Sequence, residues 1–161
     1  MRLDSHPGRA VAIVTGGSSR AGRDVARALA SWGWPVVIVY LDHQPRAETT
    51  VAEIIAEGGT TVAVRADLAD DLDVQRLFTE SIAAFGDVDV IVHTTTDNAG
   101  FLYEHAARCL RVRGAIVSTS VAEPTGPRVA PQLRVRGITV GRVPPEAVPA
   151  FLGRWRRQTT G

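Results

Sequence analysis

Short apolar runs rich in β-branched residues alternate along this chain with longer amphipathic stretches, and that alternation restricts the folds the chain can adopt. The first run, AVAIVT at 10–15, is typical of a buried strand, and the stretch at 21–32 repeats Ala, Val and Leu at helical spacing. Strands that alternate with helices predict parallel strands, right-handed crossovers and helices on both faces of a sheet. The predicted strands are 10–15, 35–40, 60–65, 88–93, 114–118 and 137–143, and the predicted helices are 21–32, 46–57, 71–85, 98–111 and 146–157.

The segment between the fifth and sixth strands is the least regular part of the pattern. Pro124, Gly126, Pro127 and Pro131 disfavour a long helix there. A parallel crossover needs about a dozen residues, and this segment supplies just enough. We therefore predict an α/β fold with a doubly wound parallel sheet of about six strands in three layers, in one domain that covers residues 1–161.

Composition excludes several functional classes. The net charge of +1 gives no electrostatic argument for a nucleic acid or an anionic membrane as partner, and no apolar run is long enough to span a bilayer. All 18 basic residues are arginine, which excludes a lysine Schiff base or a lysine-assisted proton transfer within these residues. Cys109 is the only cysteine and the four histidines lack ligand spacing, so we expect a reduced, cytoplasmic setting with neither a disulfide nor a metal site.

The segment between the first strand and the first helix reads T-G-G-S-S-R-A-G, from Thr15 to Gly22. Glycines in such a turn let a pyrophosphate approach the backbone, and the N-terminus of the following helix offers free N–H groups. Its place after a strand and before a helix favours a Rossmann-like, dinucleotide-binding domain over a simple strand-to-helix turn.

This turn resembles that of the short-chain dehydrogenase/reductase family, T-G-x-x-x-G-x-G, with Gly16 and Gly22 at its first and third glycines. Arg20 occupies the second glycine position, as in pteridine-reductase-like members of that family. A guanidinium there suits the pyrophosphate or a 2′-phosphate, and the alternative is an arginine that only faces solvent. The resemblance implies that the cofactor-binding residues of the turn are Gly16, Ser18, Ser19, Arg20, Ala21 and Gly22.

The same resemblance implies further cofactor contacts at the ends of later strands. An acid near the end of the second strand favours NAD, but this strand ends in Tyr40, so with Arg20 close by we expect NADP, with NAD as the alternative. Asp67 lies in an A-D-L sequence like the family's adenine-binding element, although aspartate is equally favoured in turns and helix caps. H-T-T-T at 93–96 replaces the family's N-N-A-G and keeps small residues beside the cofactor. The contacts implied at these strand ends are Tyr40, Leu41, Asp67, Leu68 and Thr94.

The family's catalytic residues are a serine after the fifth strand and a Tyr-x-x-x-Lys pair on the next helix. Ser120 is the better match to that serine within S-T-S at 118–120. Where the tyrosine belongs, the chain reads A-P-Q-L-R-V at 130–135, with no tyrosine, no lysine and no expected helix of that kind. We also expect a shortened loop after the fourth strand and a largely absent substrate lobe.

Three other residues are candidates for the missing catalytic role. His93 ends the fourth strand, at the edge where open α/β sheets bind ligands, and an imidazole titrates near neutral pH. Tyr103 lies near the start of the fourth helix, and Asn98 resembles the family's active-site asparagine before an N-x-x-G-x-F-like stretch. The alternatives are that His93 is a solvated strand-end residue and that Tyr103 is an interface aromatic.

Three functions follow from this pattern. The first is an NADP(H)-binding protein that has lost ordinary hydride transfer and serves either as a non-redox enzyme (cyclisation or isomerisation) or as a regulatory partner. The second is an NADP-dependent carbonyl reductase with a substituted proton donor, and the third is a non-catalytic interaction module. The expected partners are a small-molecule substrate or a protein, including a second copy of the chain in a homodimer, with no nucleic acid and no membrane.

Overall fold

The structure is a computed structural model that describes residues 9–96, 99–120 and 129–161. Strands and helices alternate along it, as the sequence predicts. The strands are β1 (Ala12–Thr15), β2 (Val36–Tyr40), β3 (Thr61–Arg65), β4 (Val90–His93), β5 (Ala115–Ser118) and β6 (Thr139–Arg142). The helices are α1 (Arg20–Ser31), α2 (Gln44–Ala56), α3 (Asp71–Phe85), α4 (Gly100–Cys109), α5 (Ala130–Val135) and α6 (Val148–Thr159), with a 3-10 turn at Pro145–Ala147 before α6.

The six strands form one sheet in the order β3-β2-β1-β4-β5-β6. Every pairing between neighbouring strands is parallel. The predicted Rossmann-like, doubly wound α/β fold is therefore confirmed. The strand order reverses between β1 and β4, and sheets of this kind bind ligands in the crevice at the carboxyl ends of the strands that flank such a reversal.

Helices cover both faces of the sheet. Side chains alternate along each strand, so that Ile13 and Ile91 pack with α3, α4 and α5, whereas Val14 and Val92 pack with α1, α2 and α6. Each fully buried Val or Ile side chain contributes about 1.5–3 kcal/mol. These two apolar layers hold the strand ends in fixed positions, and the crevice residues are attached to those ends.

The first strand begins two residues later than the sequence predicts. The N–H of Val11 donates to the buried carboxylate of Asp89 at 2.9 Å, so a side chain takes the place of a neighbouring strand at this point. Arg111 lies 3.8 Å from the same carboxylate. The other predicted strand and helix ends lie within two residues of the observed ones, which is ordinary for boundaries read from sequence.

Prolines account for the largest departures from the predicted helices. The sequence indicates no helix at 130–135, yet α5 forms there as a six-residue helix with Pro131 in its first turn, where no N–H donor is required. Leu133 of α5 is buried and anchors the helix to the sheet. Pro149 likewise lies in the first turn of α6 and does not interrupt it.

Among the helices in the described ranges, none is both long enough and apolar enough to cross a membrane.

Candidate functional site: a cleft at the carboxyl ends of the strands

The turn between β1 and α1 is closed by contacts that require glycine. Gly16 has a φ of +70°, and its carbonyl accepts a hydrogen bond from the Ser19 hydroxyl at 2.7 Å. Ser19 is the N-cap of α1, since its hydroxyl also accepts from the N–H of Gly22 at 3.1 Å. A Cβ at Gly22 would lie 2.1 Å from the Gly16 carbonyl oxygen, so a larger residue cannot fit without moving the turn. The resulting tight start of α1 leaves helix N–H groups available for an anion.

A second glycine joins this turn to β2. The N–H of Gly17 donates to the carbonyl of Val39 at 2.9 Å. A Cβ at Gly17 would lie only 1.8 Å from the Ile38 side chain. The turn is therefore packed directly against the end of β2, and the two form one wall of the crevice.

Two threonines after β4 join the turn to the other side of the sheet. The Thr94 hydroxyl donates to the carbonyl of Thr15 at 2.7 Å, and the N–H of Thr94 donates to the Thr15 hydroxyl at 3.1 Å. A Cβ at Gly16 would meet the Thr94 hydroxyl oxygen at 2.4 Å and the Thr95 methyl carbon at 2.9 Å. The small residues that replace N-N-A-G thus pack onto the glycine turn itself.

A cavity of about 390 Å³ opens beside the turn, at the carboxyl ends of β1, β2 and β3. We call it the β1–β3 cavity. Six of the residues predicted to bind the cofactor line it: Gly16, Ser18, Tyr40, Leu41, Asp67 and Leu68. Sequence reasoning missed the other lining residues, which are Thr15, Val39, Asp42, His43, Ala66, Ala69 and Thr95.

Asp67 serves both as a turn residue and as part of the cavity wall. Its carboxylate accepts from the N–H of Ala69 at 2.9 Å, which closes a local turn. Its own N–H donates to the carboxylate of Asp73 at 2.9 Å. That hydrogen bond is the largest cause of a lowered pKa at Asp73. The two readings of Asp67 from sequence, turn residue and nucleotide contact, are compatible with each other.

A second hollow, of about 550 Å³, lies between α1 and α2 and meets the β1–β3 cavity at Ser18. Arg20, Arg23, Arg27 and Arg46 all line it, and we call it the arginine groove. Arg23 and Arg27 are engaged in ion pairs with Glu53 and Glu57 of α2, respectively.

The other two guanidinium groups of the arginine groove are available to a ligand. The Arg20 side chain is 93% exposed, and its nearest acid, Asp24, is 4.0 Å away. Within the described ranges Arg46 forms no ion pair, and no sequence pattern singles it out. The arginine groove therefore holds one exposed arginine with a single, distant acid and one without an ion pair, and it shares Ser18 with the cavity.

The polar side chains at the ends of β4 and β5 are buried and bonded to one another. His93 is only 3% exposed, and its Nδ1 lies 2.9 Å from the Thr15 hydroxyl. The interpretation of His93 as a solvated strand-end residue is therefore wrong, because α4 covers it: the Tyr103 ring stands edge-on to His93 with centroids 6.1 Å apart. Burial raises the pKa of Tyr103 above its ordinary value of 10.0, and a hydrogen bond with Ser118 offsets part of that rise.

The remaining catalytic candidates are placed differently. Ser120 is partly buried just after β5, and its N–H donates to the Ser118 hydroxyl at 3.2 Å. Asn98 lies outside the described residues. Ala21 occupies the first turn of α1 beside Arg20 and lines neither hollow. Ser118 is hydrogen-bonded to Tyr103.

Comparison with known proteins agrees with the geometry of this cleft. The model of the short chain dehydrogenase family matches residues 10–119, which are more than half of the chain and end just after β5. The chain belongs to the short chain dehydrogenase family.

Curated relatives within the family are longer than the part that matches. The 3-oxoacyl-(acyl-carrier-protein) reductase of Synechocystis sp. is 41% identical over 90 residues, which cover 56% of this chain and 35% of that enzyme. The corresponding reductase of Staphylococcus aureus is 38% identical over 90 residues, covering 54% of this chain and 37% of that enzyme. The match therefore spans about a third of each relative's length.

Solved structures extend the likeness to most of the fold. A short chain dehydrogenase from Burkholderia cenocepacia, solved in complex with NADP, matches with a TM-score of 0.70 and 29% identity over 84% of this chain and 73% of that one. A short-chain dehydrogenase/reductase structure from Sinorhizobium meliloti matches with a TM-score of 0.74 over 97% of this chain and 94% of that one. Its identity of 23% supports a shared fold alone.

Proposed function

We propose that this chain is an NADP(H)-binding member of the short chain dehydrogenase family that does not perform the family's hydride transfer. One observation carries the proposal: the glycine turn and its cavity lie beside a group of polar side chains that are buried and hydrogen-bonded within the protein. The turn fits a pyrophosphate because Gly16 and Gly22 allow it to close tightly, and this closure leaves the first N–H groups of α1 available for an anion. When bound, the cofactor supplies a hydride donor or acceptor.

The residues of the cleft divide the work of holding such a cofactor. The N–H groups at the start of α1 favour the pyrophosphate, and Asp67 and Leu68 lie where an adenosine would rest in the β1–β3 cavity. Arg20 and Arg46 line the arginine groove, which shares Ser18 with that cavity, and their guanidinium groups suit a phosphate on the ribose. The Asp42 carboxylate at the cavity wall favours an unphosphorylated ribose instead, so the preference for NADP rests on the two arginines.

Among the residues that the structure describes, none in this cleft is well suited to donate a proton in carbonyl reduction. The 161 residues contain no lysine to lower a phenol pKa, and Tyr103 is buried with its pKa raised, which is the direction opposite to that required near neutral pH. His93 is held against Thr15 under α4. General acid catalysis contributes about 10²–10⁴-fold to such reactions, so its loss leaves at most slow turnover.

Binding and turnover measured side by side test the proposal. We expect NADPH to raise the melting temperature and to give saturable heats in calorimetry, because a ligand that binds only the folded state stabilises it. We expect no NADPH oxidation above background with a panel of aldehydes and ketones. Absence of binding removes the foundation of the proposal, and clear turnover with any carbonyl removes its second half.

The preference for NADP over NAD makes a separate prediction about Arg20 and Arg46 of the arginine groove. Replacing both, as Arg20→Ala with Arg46→Ala, removes cations placed for a ribose phosphate and leaves the glycine turn intact. Calorimetry is expected to show about tenfold weaker NADPH binding, equivalent to about 1.4 kcal/mol, with NADH affinity unchanged. Arg154→Ala on α6, an exposed arginine outside the arginine groove, is the matched control and is expected to change neither affinity.

A working NADP-dependent reductase is the second candidate. It is favoured by the relatives named as 3-oxoacyl-(acyl-carrier-protein) reductases, which are 41% and 38% identical to this chain over 90 residues. In this case His93 or Tyr103 would be the proton donor, and turnover with a carbonyl would be reduced by His93→Asn or Tyr103→Phe. Turnover that survives both changes would exclude these donors.

A cofactor that binds without exchanging hydride can still have a role. It can support a non-redox cyclisation or isomerisation, or it can regulate the binding of a partner. A homodimer is also proposed, since the family pairs through the helix after the fourth strand, which this chain retains as α4. Sedimentation equilibrium tests the homodimer directly. A monomer that binds NADPH would count against the third function, a non-catalytic interaction module that has lost cofactor binding.

A further inference from the structure

We infer that the edge of the sheet opposite the cleft docks an acidic protein segment, in which carboxylates alternate with apolar side chains. The docking surface lies at the amino ends of β5 and β6, where three arginine-rich segments meet. The inference goes beyond the proposed function and does not depend on nucleotide binding, because the β1–β3 cavity opens at the carboxyl ends of the strands.

The first argument is the distribution of charge along the chain. Residues 108–161 contain ten arginines and two acidic residues, whereas residues 1–107 contain eight arginines and fifteen acidic residues. The two parts therefore carry net charges of +8 and −7, which the overall value of +1 conceals. A strongly basic part within a nearly neutral protein favours an anionic partner at that part of the surface.

The second argument is that the fold gathers these arginines in one place. The segments are R-V-R at 111–113 before β5, R-V-R at 134–136 before β6, and R-W-R-R at 154–157 in α6. The N–H of Arg113 donates to the carbonyl of Arg136 at 2.9 Å, and the indole N–H of Trp155 donates to the carbonyl of Arg113 at 3.2 Å. These bonds hold the three segments side by side, and we call the three segments together the amino-edge patch.

The third argument is the mixture of side chains that the amino-edge patch exposes. Val112 is 64% exposed and Val135 is 88% exposed. The neighbouring Arg111, Arg113 and Arg134 are exposed as well. Arginine is enriched at protein interfaces, and apolar side chains form their centre, so this combination favours a protein partner.

The backbone of Arg113 supports a role for its side chain. Its φ is +66°, in the left-handed region that favours glycine. The helix dipole explains a basic residue in the last turn of α5, such as Arg134, but it does not act on a loop residue in this way. Strained residues of this kind cluster at functional sites, and a partner that binds the guanidinium accounts for an arginine at this position.

The surface fits an acidic protein better than it fits other polyanions. A phosphate backbone gains nothing from exposed valines, and single-stranded nucleic acid stacks on exposed aromatic rings, whereas Trp155 is 4% exposed. A membrane interface favours larger apolar side chains such as Trp, Phe or Leu. Asp87 and Asp89 also line a hollow with Arg111, so carboxylates interrupt the positive surface at that side.

Titration of the unaltered protein with synthetic probes tests the inference. Fluorescence anisotropy with a labelled peptide of Glu-Glu-Leu repeats is expected to show saturable binding that weakens as salt is raised. Poly-glutamate of the same length is expected to bind about tenfold more weakly, because it offers no apolar contact to the two valines. Absence of peptide binding overturns the inference, and so does tighter binding of duplex DNA or of vesicles of phosphatidylcholine with phosphatidylglycerol.

Variants of the amino-edge patch locate the site. Arg113→Gly removes a guanidinium and relieves the positive φ, so we expect about tenfold weaker peptide binding with a urea midpoint that is unchanged or higher. Val112→Ser with Val135→Ser is expected to abolish the preference for the peptide over poly-glutamate. Arg65→Ala, at an exposed arginine that ends β3 at the opposite edge, is the control and is expected to leave peptide binding unchanged.

Two results would overturn the assignment of the site. One is peptide binding that survives Arg113→Gly combined with Arg134→Ala, and the other is an equal loss in Arg65→Ala. NADPH binding is expected to be the same in the patch variants as in the parent, so a failure of this inference leaves the proposed function standing.

Discussion

At the scale of single residues, polar side chains at the ends of β1, β4 and β5 are buried and hydrogen-bonded. Thr15 accepts from the N–H of Thr94 and contacts His93, while Tyr103 reaches Ser118 from α4. A phenol in this setting stays protonated at neutral pH because ionisation would place a charge in an apolar layer. The cause of the raised pKa is burial, which the hydrogen bond with Ser118 partly offsets.

The raised pKa of Tyr103 predicts a pH-dependent stability. Because its pKa is higher in the folded chain than in the unfolded one, the stabilisation is complete below about pH 10 and is lost as the pH rises through and beyond that value. Tyr103→Phe is expected to cost about 1 kcal/mol at pH 8, from the lost hydrogen bond, and to remove this alkaline decline. Urea denaturation at pH 8, 10 and 11 measures both effects.

Ser118→Ala is the control for this prediction. It removes the hydrogen-bond partner but keeps the buried phenol, so the decline above pH 10 is expected to remain. A stability difference between the parent and Tyr103→Phe that stays constant from pH 8 to 11 would contradict the proposed burial effect.

At the scale of elements, the β1–α1 turn could be predicted from the sequence, whereas the packing at the ends of β4 and β5 could not. Glycine, serine and their position between a strand and a helix point to the turn, because few other residues permit that geometry. The burial of His93 depends instead on where α4 lies, and α4 begins at Gly100, only seven residues after β4 ends. No local sequence pattern indicates how α4 packs over the end of β4. Arg46 was missed as a groove residue for the same reason, since only the packing of α2 on α1 brings it into the groove that Ser18 also lines.

Substitution of one glycine in the turn tests whether its geometry is required. Gly22→Ala places a Cβ 2.1 Å from the Gly16 carbonyl oxygen, and overpacking of this kind costs about 1–3 kcal/mol. We expect a lower urea midpoint and weakened NADPH binding. Gly153→Ala in α6 is the matched control, because its nearest neighbours lie at 3.6 Å and 3.9 Å and alanine favours a helix by about 0.5–1 kcal/mol. Equal stability of the two variants would show that the turn can move to accept a side chain.

At the scale of the whole molecule, alternation along the chain predicted the parallel sheet, its three layers and its crevice. That success reaches from β1 to β5 because each of those elements has an unambiguous hydrophobic period. The region after β5 was harder to predict. A proline indicates that a helix is interrupted, but it is equally compatible with the first turn of a new helix, as at Pro131 of α5. There the short α5 and the closing α6 depend on contacts with distant residues, such as the bond from the Trp155 indole N–H to the carbonyl of Arg113 at 3.2 Å.

The closing helix is expected to be essential to global stability. Trp155 is 4% exposed and meets Trp34 edge-on with centroids 6.3 Å apart. Trp155→Ala is expected to cost about 3–5 kcal/mol, which is a large share of a small domain's stability. Trp32→Ala, at a partly buried site 5.1 Å from Trp34, is expected to cost less. Denaturation followed by far-ultraviolet circular dichroism measures both, and equal losses would show that α6 is not a special support.

The grouping of all three tryptophans on one side of the sheet has a spectroscopic consequence. Indole emission reports only the α1, α2 and α6 side, whereas the aromatic signals of Phe78 and Tyr103 arise on the other. An unfolding transition seen first in one signal and later in the other would show that the two sides of the sheet can separate, and coincident transitions would show that the six strands bind them into one cooperative unit.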